Sequence, residues 1–236
     1  MTQARYTPGP RSRVKRLHER ADYDHAAVHA ILDAALLCHV AYAIDGQPYC
    51  TPTIHWREGD RLYWHGSSAS RMLRAQGPGL PVCLTVSHLD GLVLARSAYS
   101  HSLNFRSAMA FGTAHLVTDP EEKQRALMAI TDRFYPGRNA DLRAMTAQEF
   151  KATAVVSMQI EEASAKVRAD QVGDDAEDGA HPVWAGVIPV TTVIGAPEAS
   201  PILPAEIGFP AALQAYAPGR RLDQALLETQ ALYQPE

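Results

Sequence analysis

The chain has 236 residues, 46% of them hydrophobic and 20% charged, which allows one large domain with its own core and excludes a wholly disordered or fibrous chain. A formal net charge of −4 leaves no basic footprint, so no nucleic-acid partner is expected. No apolar run approaches the roughly 20 residues that cross a bilayer and no apolar segment follows the N-terminal basic residues, so a cytoplasmic protein without a membrane partner is expected.

Residues 1–20 carry Arg5, Arg11, Arg13, Lys15, Arg16 and Arg20 among prolines and glycines, the composition of a flexible basic arm that orders only by docking. Val28, Ile31, Leu32, Ala35 and Leu36 then share one helical face, with Asp22 or Asp24 as N-cap. Cys38–Ile44 and Tyr49–Trp56 read as strands around the Asp45-Gly46 turn, and Glu58-Gly59-Asp60 turns into a third strand over Arg61–His65.

That strand runs into Gly66-Ser67-Ser68-Ala69-Ser70-Arg71-Met72, a hydroxyl-rich turn opening a helix. Serine hydroxyls, free N–H groups and one guanidinium would make an anion site suited to phosphate, whereas in the plainer reading one serine caps a surface helix. Strands follow over Val82–His88 and Leu92–Ala95, with Asp90-Gly91 as either a turn or a kink in one long strand, and over Phe105–Val117. Asp119-Pro120-Glu121-Glu122 opens a helix that buries Leu127, Ile130 and Phe134, and Thr146-x-x-Glu149 opens a shorter one. Period-two alternation over Thr153–Ile160 marks the last strand. Six or seven strands with few helices predict a mainly β protein built as a barrel.

Beyond residue 169 the chain is acidic and then proline-rich, so the expected division is an arm (1–20), a barrel domain (21–168) and an extension packing on it (169–236). Val183-Trp184-Ala185-Gly186-Val187-Ile188-Pro189 is an apolar island there, either a docking strand or an aromatic flap over a planar ligand. Cys38, Cys50 and Cys83 lack C-x-x-C spacing and lie in apolar runs, where free thiols behave as small hydrophobes. His25 and His29 have a chelating spacing on the first helix but no third ligand of matching spacing, so packing is expected there and no metal is assigned. His55, His65 and His101 could donate protons to a bound substrate, and His39 and His88 read as strand residues satisfied by backbone partners.

The order of Thr51-Pro52-Thr53-Ile54-His55-Trp56, the strand and turn Leu62–Met72, Leu89-Asp90-Gly91-Leu92-Val93-Leu94-Ala95-Arg96, and Ser102-x-Asn104-x-Arg106-Ser107 before Phe111-Gly112 resembles the pyridoxamine 5′-phosphate oxidase-related flavoproteins, in particular the branch of nitroimidazole-resistance proteins. The resemblance implies a Greek-key split β-barrel that binds FMN as a homodimer, with the flavin at the subunit interface. It implies that Thr53, Ile54, His55 and Trp56 lie beside the flavin ring, and His65 and Gly66 near the ribityl chain. Ser67, Ser70 and Arg71 would hold the phosphate, with Met72 where the oxidases have a lysine. Ser107 would face the ring edge in place of a glutamine, and Lys166 and Arg168 would approach from the neighbouring subunit. Trp184 is the expected flap. The implied activity is flavin-dependent oxidoreduction of a small substrate, such as a nitroaromatic; a noncatalytic flavin carrier or sensor and a haem-binding split barrel are the alternatives. Oxidation of pyridoxamine phosphate itself is not expected, because the C-terminal arginine and histidine pattern of those oxidases is missing.

Overall fold

Alternating burial along the first strands produces the meander the sequence predicts. In the computed structural model, which describes residues 4–233, it comprises β1 (Ala21–Asp22), α1 (His25–Asp33), β2 (Leu37–Ile44), β3 (Gln47–Glu58) and β4 (Arg61–Ser67). Asp45 and Gly46 take φ of 50° and 78°, the left-handed pair that a two-residue hairpin turn requires. Asp24 stands at the N-cap of α1, although its side chain makes no capping hydrogen bond.

The chain continues through α2 (Arg71–Gln76), β5 (Leu80–Leu94), β6 (Ser102–Leu116), α3 (Pro120–Phe134), α4 (Ala147–Ala152), β7 (Thr153–Gln159), β8 (Glu162–Arg168), β9 (Gly186–Pro189) and α5 (Leu222–Leu232). Asp90-Gly91 is a kink and not a turn: β5 is one strand whose register against β6 shifts between Leu89 and Gly91. The Asp119 carboxylate accepts from the Glu122 amide, and Thr146 and Glu149 form a complete capping box, as their spacing predicts. The last strand of the barrel region is not β7 but β8, a separate antiparallel partner of β6.

The sheet order β1-β8-β6-β7-β4-β3-β2-β5-β9 closes on itself because β5 also pairs with β6, giving a split barrel of six strands with β1, β8 and β9 branching from it. The closure depends on Gly112. Phe105–Phe111 of β6 pair with β8 and Ala114–Leu116 pair with β7; a Cβ on Gly112, between them, would lie 2.2 Å from the Gln159 carbonyl oxygen.

Two cores result. Val28, Leu32, Val40, Leu62, Trp64, Leu84 and Val156 fill the first, inside the barrel and under α1. Trp56, Tyr63, Val155, Leu127, Phe134 and Leu226 form the second, between the outer face of the sheet and the helices α3 and α5.

The arm and the extension belong to this body. Described residues of the arm do not hang free: Tyr6 is buried, Arg5 bridges to Asp24, and Arg11 pairs with Glu161 and Glu162. The apolar island of the extension is a docking strand, with Ile188 opposite Leu92 and Val187 opposite Val93. Ala225 and Leu226 of α5 are fully buried. All three cysteines are free thiols; Cys38 is buried as expected, whereas Cys50 is exposed.

Candidate functional site

The side chains of β3 and β4 alternate between the two faces of the sheet, and this alternation divides the residues assigned to the flavin. Cross-strand partners share a face, so His55 points with Trp64 into the barrel, and Trp56 points outward with Tyr63. His55 is enclosed, with one ring nitrogen 3.1 Å from the Leu32 carbonyl oxygen, and burial lowers its pKa to about 4. Trp56 stacks on Tyr63 beneath the helical layer. Neither side chain offers surface to a cofactor. This corrects the expectation that the whole segment Thr53–Trp56 lies along a flavin: the helices cover the outer face of the strand at Trp56, and only Ile54 remains exposed.

His65 is the outward residue between Trp56 and the serine turn, its ring edge-on to the Trp56 indole with centroids 6.3 Å apart. Two enclosed polar atoms there have no hydrogen-bond partner among the described residues, His65 Nδ1 and Trp56 Nε1. Burial lowers the pKa of His65, so the imidazole is neutral at pH 7 and able to ligate a metal or accept a proton. Gly66 faces inward, and a Cβ on it would lie 3.2 Å from the Leu73 side chain, so its absence lets α2 close against the strand.

The serine turn is tighter than an open anion cradle. The Ser68 amide donates to the Ala152 carbonyl, that of Ala69 to Ser67 Oγ, and that of Ser70 to the Ser67 carbonyl. Ser70 occupies the N-cap of α2 without a capping hydrogen bond, so the plainer reading of a serine cap does not hold. What the turn offers an anion is its hydroxyls and Arg71. The Arg71 guanidinium lies 4.4 Å from the centroid of the Tyr49 ring and makes no ion pair among the described residues. Met72 is buried in the core and contributes no surface.

The remaining assigned residues are spread across the barrel. Ser107 pairs with Lys166 across β6 and β8, and Lys166 Nζ donates to the Arg16 carbonyl. Arg168, the last residue of β8, is buried and committed to Asn104 and the Gln171 carbonyl, so it has no free reach toward a neighbouring flavin. Trp184 is 64% exposed and folds over Gly186, where a Cβ would lie 2.8 Å from the indole.

One outer row of the sheet runs Pro52, His39, Thr85, Met109 and Ser164 across five strands, flanked by Leu37 opposite Ile54. Leu37 is 61% exposed and Met109 40%, so this face carries open apolar side chains among the polar His39 and Thr85. It adjoins a cleft of about 550 Å³ lined by Ala35, Leu37, His88, Leu89, Thr192 and Leu222, within the range of small-molecule sites. The sequence reading missed this cleft because the extension supplies half of its wall. His88 does bond to backbone as expected, through its ring to the Ile31 carbonyl.

These features define a split barrel with a hydroxyl-bearing turn after β4. Residues 24–167 match the pyridoxamine 5′-phosphate oxidase family, and the chain belongs to it. Among solved structures, the flavocytochrome Anf3 from Azotobacter vinelandii is 47% identical, with 91% of this chain and 100% of that chain covered and a TM-score of 0.84. The FAD and haem binding protein from Mycobacterium smegmatis is 38% identical over 86% of this chain and 98% of that chain, with a TM-score of 0.81. A protein assigned to 5-nitroimidazole antibiotic resistance, from Bacteroides thetaiotaomicron, is 27% identical over 62% of this chain and 86% of that chain, with a TM-score of 0.51. No curated protein matches.

Proposed function

We propose that the protein is a flavin-dependent redox protein that binds FAD and haem. The observation that carries this reading is the span of the similarity. The family match ends at residue 167, yet the two relatives whose names couple a flavin with haem cover 91% and 86% of the chain and therefore share part of its extension. The nitroimidazole-resistance relative covers 62%. FAD, named for the second of these relatives, displaces FMN as the expected flavin.

The local chemistry fits both groups. Ser67, Ser70 and Arg71, which has no ion pair among the described residues, suit a phosphate, and the exposed Ile54 suits the edge of a flat ring. His65, neutral and orphaned at Nδ1, suits a haem iron. A bound flavin supplies the redox chemistry, while the chain supplies position, electrostatics and exclusion of water. The exposed Met109 and the exposed Leu37–Ile54 pair support a homodimer that covers them and brings Lys166 of one subunit toward the other's site.

Anaerobic titration of the purified protein with NADH or NADPH, with and without a nitroaromatic acceptor, tests the redox assignment. Reduction of the bound flavin followed by reoxidation by the acceptor is the expected result. A flavin that no donor reduces would make the protein a carrier or sensor.

A further inference from the structure

The helical repeat of α1 stacks His25 and His29 one turn apart, and the fold brings to them a third group that their spacing in sequence does not reveal. Asp60, in the turn between β3 and β4, lies with its Oδ1 3.2 Å from His25 Nδ1 and 3.1 Å from His29 Nε2. The docked arm adds Tyr6, whose hydroxyl donates to the same Oδ1 at 2.8 Å and lies 2.8 Å from His29 Nε2. Three polar groups thus converge on a single carboxylate oxygen.

We propose that His25, His29 and Asp60 form a binding site for a divalent transition metal of the zinc class, with Tyr6 holding Asp60 from the outer shell. A tetrahedral zinc with ligand bonds of about 2.0–2.1 Å has ligand–ligand edges of about 3.3 Å. The observed 3.1 and 3.2 Å edges need only a few tenths of an ångström of expansion. The three ligand atoms all lie within 4.8 Å of one another. Two imidazoles and a carboxylate are a borderline ligand set that suits zinc, and water completes the shell.

A further feature suits a ligand role. Asp60 is fixed by its backbone carbonyl, which accepts from the Ile160 amide at 2.8 Å, and by Gly59 at φ 56°. The site would join three segments distant in sequence: the arm, α1 and the β3–β4 turn. It shares no residue with the flavin and haem site, so its failure leaves that proposal standing.

The test is calorimetric titration of Zn²⁺ into the full-length protein as purified, after dialysis against a chelator, with the thermal midpoint measured alongside. One zinc per chain and a raised midpoint are expected. His29→Gln and Asp60→Asn should each weaken that binding by more than the roughly 100-fold seen for loss of an outer-shell partner. Zinc taken up by the exposed Cys50 would persist in both variants. Absence of stoichiometric binding by the wild type, or equal binding by wild type and both variants, would overturn the proposal. Absence of binding by the wild type overturns the proposal even if a variant folds poorly, and Tyr6→Phe, which leaves all three ligands in place, should retain the zinc.

Discussion

Leu226→Ala tests whether the extension is part of the folding unit. Leu226 is fully buried in α5, in the cluster that contains Trp56, Tyr63 and Phe134. Truncation removes three carbons, about 2.4 kcal/mol at roughly 0.8 kcal/mol per methylene, and leaves a cavity against a sheet that cannot collapse freely. The expected cost is about 3–4 kcal/mol, or about 10 °C in thermal midpoint for a chain of this size. Urea unfolding followed by far-ultraviolet circular dichroism and by tryptophan fluorescence is the assay, because Trp56 reports from the same cluster. Both probes should shift together. A cost below about 1 kcal/mol, or a separate early transition that leaves the barrel's midpoint unchanged, would refute the reasoning and make the extension an appendage.

Gly112→Ala should abolish soluble folded protein or lower its midpoint severely, since its Cβ would lie 2.2 Å from a carbonyl oxygen; a wild-type melting curve would show that β6 crosses elsewhere. Stability should fall as the pH drops from about 6.5 to 4: His55 is neutral in both states above 6.5, but below it the unfolded chain takes up a proton that the folded protein, with its pKa near 4, refuses. His55→Gln should flatten that slope in a pH series of denaturation curves, and an unchanged slope would count against the burial of His55. Arg71→Ala should weaken FAD binding by roughly ten- to a hundredfold and riboflavin binding much less, as for a charge-assisted hydrogen bond to phosphate. Equal losses in the two titrations would mean that Arg71 serves Tyr49, on whose ring it lies.

The meander from β2 to β4, the caps of α3 and α4 and the docking of β9 were legible because alternation, Asp-Gly turns and the capping residues are local signals. The strand β8 was not, since Ala163, Ser164 and Ala165 carry little strand preference and are buried by small size against β6. The flavin assignments at His55 and Trp56 failed for another reason. Two consecutive buried positions mean that both faces of a strand are covered, and the cover at Trp56 comes from α3 and α5, the latter more than 160 residues away in the chain. Arg133, buried with bonds to Thr229 and the Asp33 carbonyl, likewise gave no sign in sequence that it joins α3 to α5 and α1. Asp60 beside His25 and His29 required the fold itself.

The central claim, a protein carrying both flavin and haem, is tested most directly by extracting the cofactors of the purified protein and comparing the wild type with His65→Ala. The account predicts FAD and haem in the wild type, each close to one per chain, and loss of haem with retention of FAD in the variant. FMN as the sole extracted flavin, with no haem in the wild type, would contradict it.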